Sequence, residues 1–292
     1  MGIIMVKFIP WVILLLILVI TIPVLYQRSR QLQNNYRLEV QSALATLHKK
    51  TTSTLLLTEA DLLHLPEQVQ AYLHTVGVVG KPKVKSFRMV CSGEFKTAPD
   101  KDFVPSQAEQ YNVVDDSRRV YFMSLKMSGL PVVGLHVYKD AAATMQIRLA
   151  GLVTVADARG ELMNKAETVT ILNDMCLIAP ATLIDPRITW EPIDEDRVRA
   201  IFTHQGITVS AELVFNDQHE LVNFISNDRY MTVSGQDYQS APWSTPVSDY
   251  RDYGGIRLAS TGEARWQLPE GEYCYGRIRL ESIEYNITDW VS

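Results

Sequence analysis

From Phe8 to Leu25 the chain reads FIPWVILLLILVITIPVL, eighteen residues without a charge. As a helix such a run just crosses roughly 30 Å of hydrocarbon. Trp11 and Tyr26 stand near its ends, where amphipathic rings settle at headgroup level, and Pro10 and Pro23 fall in its first and last turns, where a missing N–H costs least. The run leads into YQRSRQ, with no small-residue cleavage site and no cysteine behind it, so it reads as an uncleaved anchor rather than a cleaved signal.

Beyond it, Tyr36, Val40, Ala43, Leu44 and Leu47 share one helical stripe, which predicts a short helix carrying the chain off the membrane. TTSTLLL (51–57) reads as a linker or strand. Thr58 with Asp61 resembles a capping box, and Pro66 suits the first turn of a second helix whose Leu65, Val69, Tyr72, Leu73 and Val76 lie on one face. The body therefore opens with a helical pair.

From Lys83 the period changes to two. In SFRMVCSGEF, Phe87, Met89, Cys91, Gly93 and Phe95 point one way and the residues between them the other. QAEQYNVV, RRVYFMSL, GLHVYKDA, TMQIRLAG and LVTVADAR follow with short polar or Gly/Pro breaks, the pattern of an antiparallel meander. The segment ETVTILNDMCLIAPATLID (167–185) interrupts it. Ile171, Leu172, Met175, Ile178 and Ala179 make one apolar face that Val169, Cys176 and Leu177 widen, so this helix is buried on several sides and ends near Pro180. Strands resume in ITVSAELVF, LVNFISNDRYM, GIRLASTGEARW and EYCYGRIRLESIEYNI, and the aromatic-rich stretch 234–255 reads as a packed loop.

The predicted fold is β-rich α+β: a curved antiparallel, half-barrel-like sheet packed around a long internal helix, preceded by a helical pair and one N-terminal transmembrane helix. Residues 1–30 form the anchor, 31–57 a juxtamembrane helix and linker, and 58–292 a single globular domain.

Composition narrows the function classes. The net charge is −5, and every acidic residue lies beyond the anchor, so the body is more acidic than the whole chain. With no basic cluster, a nucleic-acid partner is excluded. Lys7 precedes the anchor and Arg28, Arg30 and Arg37 follow it. The positive-inside rule would put the body in the cytoplasm, whereas large domains behind short tails are exported regardless of such charges. The reading taken is the periplasmic or extracellular side, with the cytoplasmic side left open.

Cys91, Cys176 and Cys274 match no zinc spacing and read as buried thiols; the six histidines are scattered and read as surface or turn residues. No metal and no cofactor is predicted. The sequence has no G-x-S-x-G elbow, phosphate-cradling glycine loop or H-E-x-x-H pair.

Asn173 and Asp174, on the greasy helix, must be hydrogen-bonded if buried, since an unpaired polar group costs about 1–3 kcal/mol. They either tie helix to sheet, through backbone groups or an arginine, or serve a ligand. Asp228 and Arg229 read as a local ion pair at a strand end, and Glu109 and Glu263 as partners for Arg229 or Arg265. Asp174, Glu109 and Asp228 are the candidate acid/base residues; Asn173, Asp174, Arg229, Trp243 and Glu263 are the candidate ligand contacts. Trp243, with the tyrosines of its loop, would rim a ligand mouth.

ETVTILNDMCLIAPATLID together with ITW, LVNFISNDRY, APW and GEARWQLPEGEYCYGR resembles a family of uncharacterised, mostly bacterial proteins catalogued as a domain of unknown function. LPEQVQAYL and SQAEQY fit its pattern too, so the likeness runs from about Leu65 to the C-terminus. The resemblance implies single-anchor or exported proteins and brings no established activity. At fold level, a curved sheet around a helix is similar by analogy to the lipoprotein-carrier folds of the bacterial envelope. The expected function is a membrane-tethered binding protein for an apolar or amphipathic, lipid-like ligand or an envelope partner. The alternative is an acid/base hydrolase or lyase using Asp174, Glu109 or Asp228.

Overall fold

The computed structural model describes residues 2–47, 55–232 and 234–291; within the first helix it describes the side chains of residues 19, 21 and 23 onward. Residues 51–54 of the expected linker lie outside the described residues, as do nearly all side chains of the expected anchor. Among the described residues, no helix is long and apolar enough to cross a membrane.

Alternation becomes strand where it was read. β1 (Ser86–Phe95), β2 (Val104–Val113), β3 (Arg118–Met127), β4 (Leu130–Lys139), β5 (Ala142–Leu149) and β6 (Val153–Arg159) form an antiparallel meander in chain order. Ser128 and Gly129 both take positive φ (49° and 80°), the twist a two-residue turn needs to join β3 to β4. After the central helix come β7 (Ile188–Pro192), β8 (Arg197–His204), β9 (Ile207–Phe215) and β10 (Leu221–Ser226), then the short β11 (Tyr230–Met231), β12 (Gln239–Ser240) and β13 (Trp243–Ser244). β14 (Val247–Asp252), β15 (Arg257–Leu268) and β16 (Gly271–Tyr285) end the chain. Fourteen strands make one curled antiparallel sheet, in which β16 and β15 join β1 of the first meander to β13 and β10 of the second. β14 lies off this path beside β15. The described residues form a β-rich α+β half-barrel with three α-helices.

The helical pair is corrected. Its first member is a single 3-10 turn, Glu59–Asp61, in which the Asp61 carboxylate accepts the Thr58 N–H at 2.8 Å and the Thr58 hydroxyl at 2.9 Å. Three residues with no buried side chain cannot sustain a helix. Its second member is α2 (Glu67–Thr75), which buries Val69, Tyr72 and Leu73.

α1 (Gly2–Leu44) is continuous, so the expected juxtamembrane helix is its C-terminal part. There Leu32, Tyr36, Val40, Ala43 and Leu44 are buried against Tyr111, Val113, Val120, Leu135 and Val137 on the convex face of β2–β4. The Tyr36 ring stacks on Phe122 at 5.0 Å, and Trp290 of the C-terminal tail closes over both Tyr36 and Tyr111. Gly151, in the β5–β6 turn, has φ +68°, and a Cβ there would meet the Ser29 carbonyl oxygen at 2.3 Å. Helix and turn are that close because the residue is glycine.

α3 (Glu161–Leu177) is the interrupting helix, and it starts two turns before the apolar pattern does. From Ala166 to Leu177 every side chain is buried. It crosses the end of the curl where the β2–β3 and β4–β5 turns lie: the Asn164 Oδ1 accepts the Ala143 N–H at 2.8 Å, and Thr168 bonds the Tyr138 hydroxyl at 2.9 Å. The main core thus lies between α3 and the concave face. The segment after β11 straps this end to the β6 edge, where a Cβ on Gly235 would sit 2.6 Å from the Asp157 carbonyl.

Candidate functional site

The inward residues of β3 change character along the strand. Arg119 stands beside α3, followed at every second position by Tyr121, Met123, Leu125 and Met127 toward the opposite end. These residues form one wall of a cavity of about 640 Å³ between α3 and the concave sheet. Its α3 end is polar and its far end apolar.

At the polar end two carboxylates and two guanidinium groups interlock. Glu167 and Asp174 are seven residues apart on α3, two helical turns, and so share a face. The Arg119 Nε donates to Asp174 Oδ2 at 3.0 Å, and its Nη1 reaches Glu167 Oε2 at 3.3 Å. Asp174 Oδ2 also accepts the amides of Gln110 at 2.7 Å and Asn112 at 3.1 Å, both from the inward face of β2. Arg229 enters from the β10–β11 connection: Nη2 lies 3.3 Å from Glu167 Oε1, and Nη1 donates to the Thr170 hydroxyl and the Ala166 carbonyl. Its guanidinium lies 4.3 Å from the Trp243 ring centroid, and the Trp243 Nε1 donates to the Tyr275 hydroxyl at 3.1 Å. Asn173 donates to the Thr245 hydroxyl at 2.7 Å.

Burial raises the Asp174 carboxyl above its ordinary value, against the pull of Arg119, Asn112 and Gln110. Burial presses Glu167 the same way, but Arg229 and Arg119, aided by His136, outweigh it and hold Glu167 below the usual range. Burial depresses the His136 imidazole to about 4, so it is neutral at physiological pH. Two buried polar atoms at this end, Gln110 Oε1 and Arg229 Nε, have no protein hydrogen-bond partner. Such atoms are rare in native interiors and call for a polar group from elsewhere.

The rest of the cavity is soft. Met89, Met123, Met127, Met145, Met163 and Met231 line it, six of the nine methionines in the chain. Unbranched thioethers adapt to guests of varied shape. Tyr275 and Trp266 stack at 6.1 Å on the side opposite the β3 wall.

The site residues expected from sequence divide. Asn173, Asp174, Arg229 and Trp243 converge here, with Asp174 tied by an arginine as one of the readings had it. Trp243 is buried in the cavity wall rather than at a rim, because β13 is short and inserted between β10 and β15. The tyrosines of its loop turn elsewhere, Tyr250 to the Leu221 carbonyl and Tyr253 to that of Leu280. Glu109 faces the convex side, 2.7 Å from Arg88, since alternation puts it opposite Gln110. Asp228 and Arg229 part rather than pair: Asp228 accepts the Ser210 N–H at 2.8 Å and meets Lys165 at 2.7 Å. Glu263 sits toward the open end, held by Arg265 and 3.6 Å from Arg277.

The sequence reading passed over Arg119, Glu167, Thr170 and His136. A signal existed for the first two: the seven-residue spacing of Glu167 and Asp174, and the inward parity of Arg119 with Tyr121. His136 and His204 are corrected from surface residues, since His136 lines the cavity and His204 is buried beside Arg187. The three cysteines are free thiols; Cys91 and Cys176 are buried and Cys274 is half-buried. Burial lifts the Cys91 thiol to about 12, which suits no nucleophile. Among the described residues no group of histidine, cysteine and carboxylate side chains could hold a metal ion.

Over residues 56–278 the chain belongs to a family of unknown function, DUF6544. No curated protein matches it. Among solved structures it is similar to a LolA superfamily protein from Nitrosomonas europaea, at 10% identity over 75% of this chain and 94% of that one, with a TM-score of 0.41. It is also similar to a DUF1329 family protein from Desulfovibrio piger, at 9% identity over 75% and 92% of the two chains, with a TM-score of 0.42. These likenesses are of general outline, and the ligand question rests on the cavity itself.

Proposed function

We propose that the half-barrel is a holder for one amphipathic, lipid-like molecule, tethered to a membrane by the apolar run Phe8–Leu25. The observation that carries this reading is the cavity's gradient, from the Arg119–Glu167–Arg229–Asp174 pole to a methionine-lined chamber. Its volume of about 640 Å³ is that of a ligand site. An apolar chain fills the soft chamber, and its polar end meets the two orphaned atoms, Gln110 Oε1 and Arg229 Nε. The pole matches two positive charges with two carboxylates, so it favours a hydrogen-bonding or weakly charged head over a bare strong anion.

Titrating the full chain with cis-parinaric acid tests this. The reading expects a saturable fluorescence rise, competed by phospholipid and weakened in Met145→Trp, which fills the chamber. Binding unchanged in that variant counts against the cavity as the site.

The acid/base alternative keeps one supporting observation: two carboxylates in one cavity with pKa values pushed apart, Asp174 up and Glu167 down. Against it, Asp174 Oδ2 is already engaged by three donors. Of the other proposed acids, Glu109 lies on the opposite face of the sheet and Asp228 is tied to Lys165. Asp174→Asn separates the two readings, since lost turnover at unchanged stability supports chemistry.

A further inference from the structure

The cavity has one apolar end, and α1 leaves the body at that same end. Two observations fix the direction. α1 lies along the convex face, where Glu39 meets Lys139, at the α3 end of β4, at 2.8 Å, and its buried stripe ends at Ala43 and Leu44. Fourteen residues earlier Ser29 abuts Gly151, and Gln31 accepts from Arg148 at 3.0 Å, both in or next to the β5–β6 turn at the opposite end. That helical stretch spans about 21 Å, roughly two thirds of the length of the ten-residue strands it lies along. The helix then continues toward its N-terminus past the body, and its described side chains beyond Ser29 are exposed: Val19, Val24, Leu25 and Tyr26.

On its β3–β6 side the rim of the cavity at this end is apolar and uncovered, while Glu263 and Arg265 stand on the β15 side. Met127 is 37% exposed, its partner across the β3–β4 turn, Leu130, 50%, and Val153 and Val155 of β6 58% and 51%. Elsewhere in the folded body, large apolar side chains about this exposed are Leu38, Leu55, Leu56, Leu63, Leu162 and Val291 among the described residues, scattered rather than grouped at one end. The α3 end is shut, with Tyr138, Ala143 and Ala158 each 2% exposed or less. An apolar rim around an open chamber is costly in water, and grouped exposed apolar residues mark an interaction surface.

We propose that this rim docks on a phospholipid bilayer, the one entered by the Phe8–Leu25 helix, so that the ligand passes between bilayer and chamber without crossing water. The bilayer is chosen as occupant because the uncharged helix leaves from the rim itself, which places the rim at the membrane surface whenever the helix is inserted. The inference rests on the proposed tether and deepens the ligand-holder reading, but it makes a separate claim: which end of the half-barrel faces the lipid.

The test uses the full chain in phosphatidylcholine vesicles, carrying Cys274→Ser so that a single introduced cysteine takes the fluorophore NBD. Labels at Leu130→Cys and Val153→Cys are expected to emit to the blue and to be quenched by brominated lipid. A label at Ala142→Cys, exposed at the closed end, is expected to stay green and to be quenched by aqueous iodide. Leu130→Glu with Val153→Glu, two exposed positions, should leave the melting temperature unchanged and slow fatty-acid transfer from vesicles several-fold. Rim labels quenched by iodide and untouched by brominated lipid overturn the proposal, as does an equal response at both ends or failure of the chain to float with the vesicles. Native mass spectrometry of the same preparation separates the two readings. An empty chamber with lipid-embedded rim labels sinks the ligand-holder alone, and a filled chamber with water-exposed rim labels sinks the docking alone.

Discussion

The Arg119 Nε lies 3.0 Å from Asp174 Oδ2, and both side chains are almost wholly withdrawn from solvent. They come from elements 55 residues apart, a strand of the first meander and the helix that closes the curl. A charge pair taken out of water is repaid only when its geometry is good and its remaining hydrogen bonds are made. Here Gln110 and Asn112 supply those bonds on the acid, and Glu167 takes the arginine's other arm.

Removing one partner should therefore cost more than muting the other. Arg119→Met leaves Asp174 with no cation, and a loss of about 3–5 kcal/mol is expected. Asp174→Asn keeps a hydrogen-bonding group of the same shape and should cost less, about 1–3 kcal/mol. Urea denaturation of the two variants compares them; equal losses would show that the pair does not act as a unit.

His136 predicts a loss of stability in mild acid. Its folded pKa is depressed from 6.5 to about 4, so the unfolded chain takes up a proton more readily than the folded one across that window. The stabilising contribution is complete above 6.5 and drains away as pH falls toward 4. At 1.36 kcal/mol per unit, its ceiling is about 3 kcal/mol. His136→Phe should flatten this part of the stability–pH curve. Asp174, shifted upward, runs the other way: its contribution is present at low pH and is lost as pH rises through its folded pKa. Glu167, shifted downward, loses its contribution only as pH falls below the ordinary carboxylate range.

Gly151→Ala tests the seat of α1. The new Cβ would collide with the Ser29 backbone at a positive φ, so a cost above about 1 kcal/mol is expected. The damage should be local. Tryptic cleavage at Arg28, Arg30 and Arg37 should accelerate, while the half-barrel core keeps its unfolding midpoint.

Arg229→Lys tests the cation over Trp243. An ammonium cannot hold Glu167, Thr170 and the Ala166 carbonyl through one planar fork while lying on the indole. Weaker probe binding is expected, with a shift in tryptophan emission.

Much of this architecture can be read from periodicity. β1 and β9 begin and end where the alternation of SFRMVCSGEF and ITVSAELVF does, because each strand has one face in the core and one outside. β8 carries the same signal in Val198, Ala200 and Phe202, but Arg197 and Arg199 beside them disguise it as a charged loop. β14, VSDYRD, buries nothing and gives no apolar period to find. The first turns of α3 are equally silent, since Glu161, Leu162, Asn164 and Lys165 stay at least partly exposed. Greasiness along α3 told of burial and so of a polar pair needing partners. It could not say that the partner was Arg119, because strand alternation fixes the face a side chain takes and not the helix it meets. The helical stripe Tyr36–Leu44 was legible as a stripe; that it lies on the back of the sheet follows from Val120 and Val137, whose outward parity is visible only once the strands are paired.

Native mass spectrometry of the full chain, released gently from detergent, tests the central claim most directly. The account predicts a population carrying a single adduct of lipid mass, retained in Leu130→Glu and lost in Met145→Trp. A protein that stays bare after incubation with phospholipid and with fatty acid, in the wild type as in Met145→Trp, would contradict it.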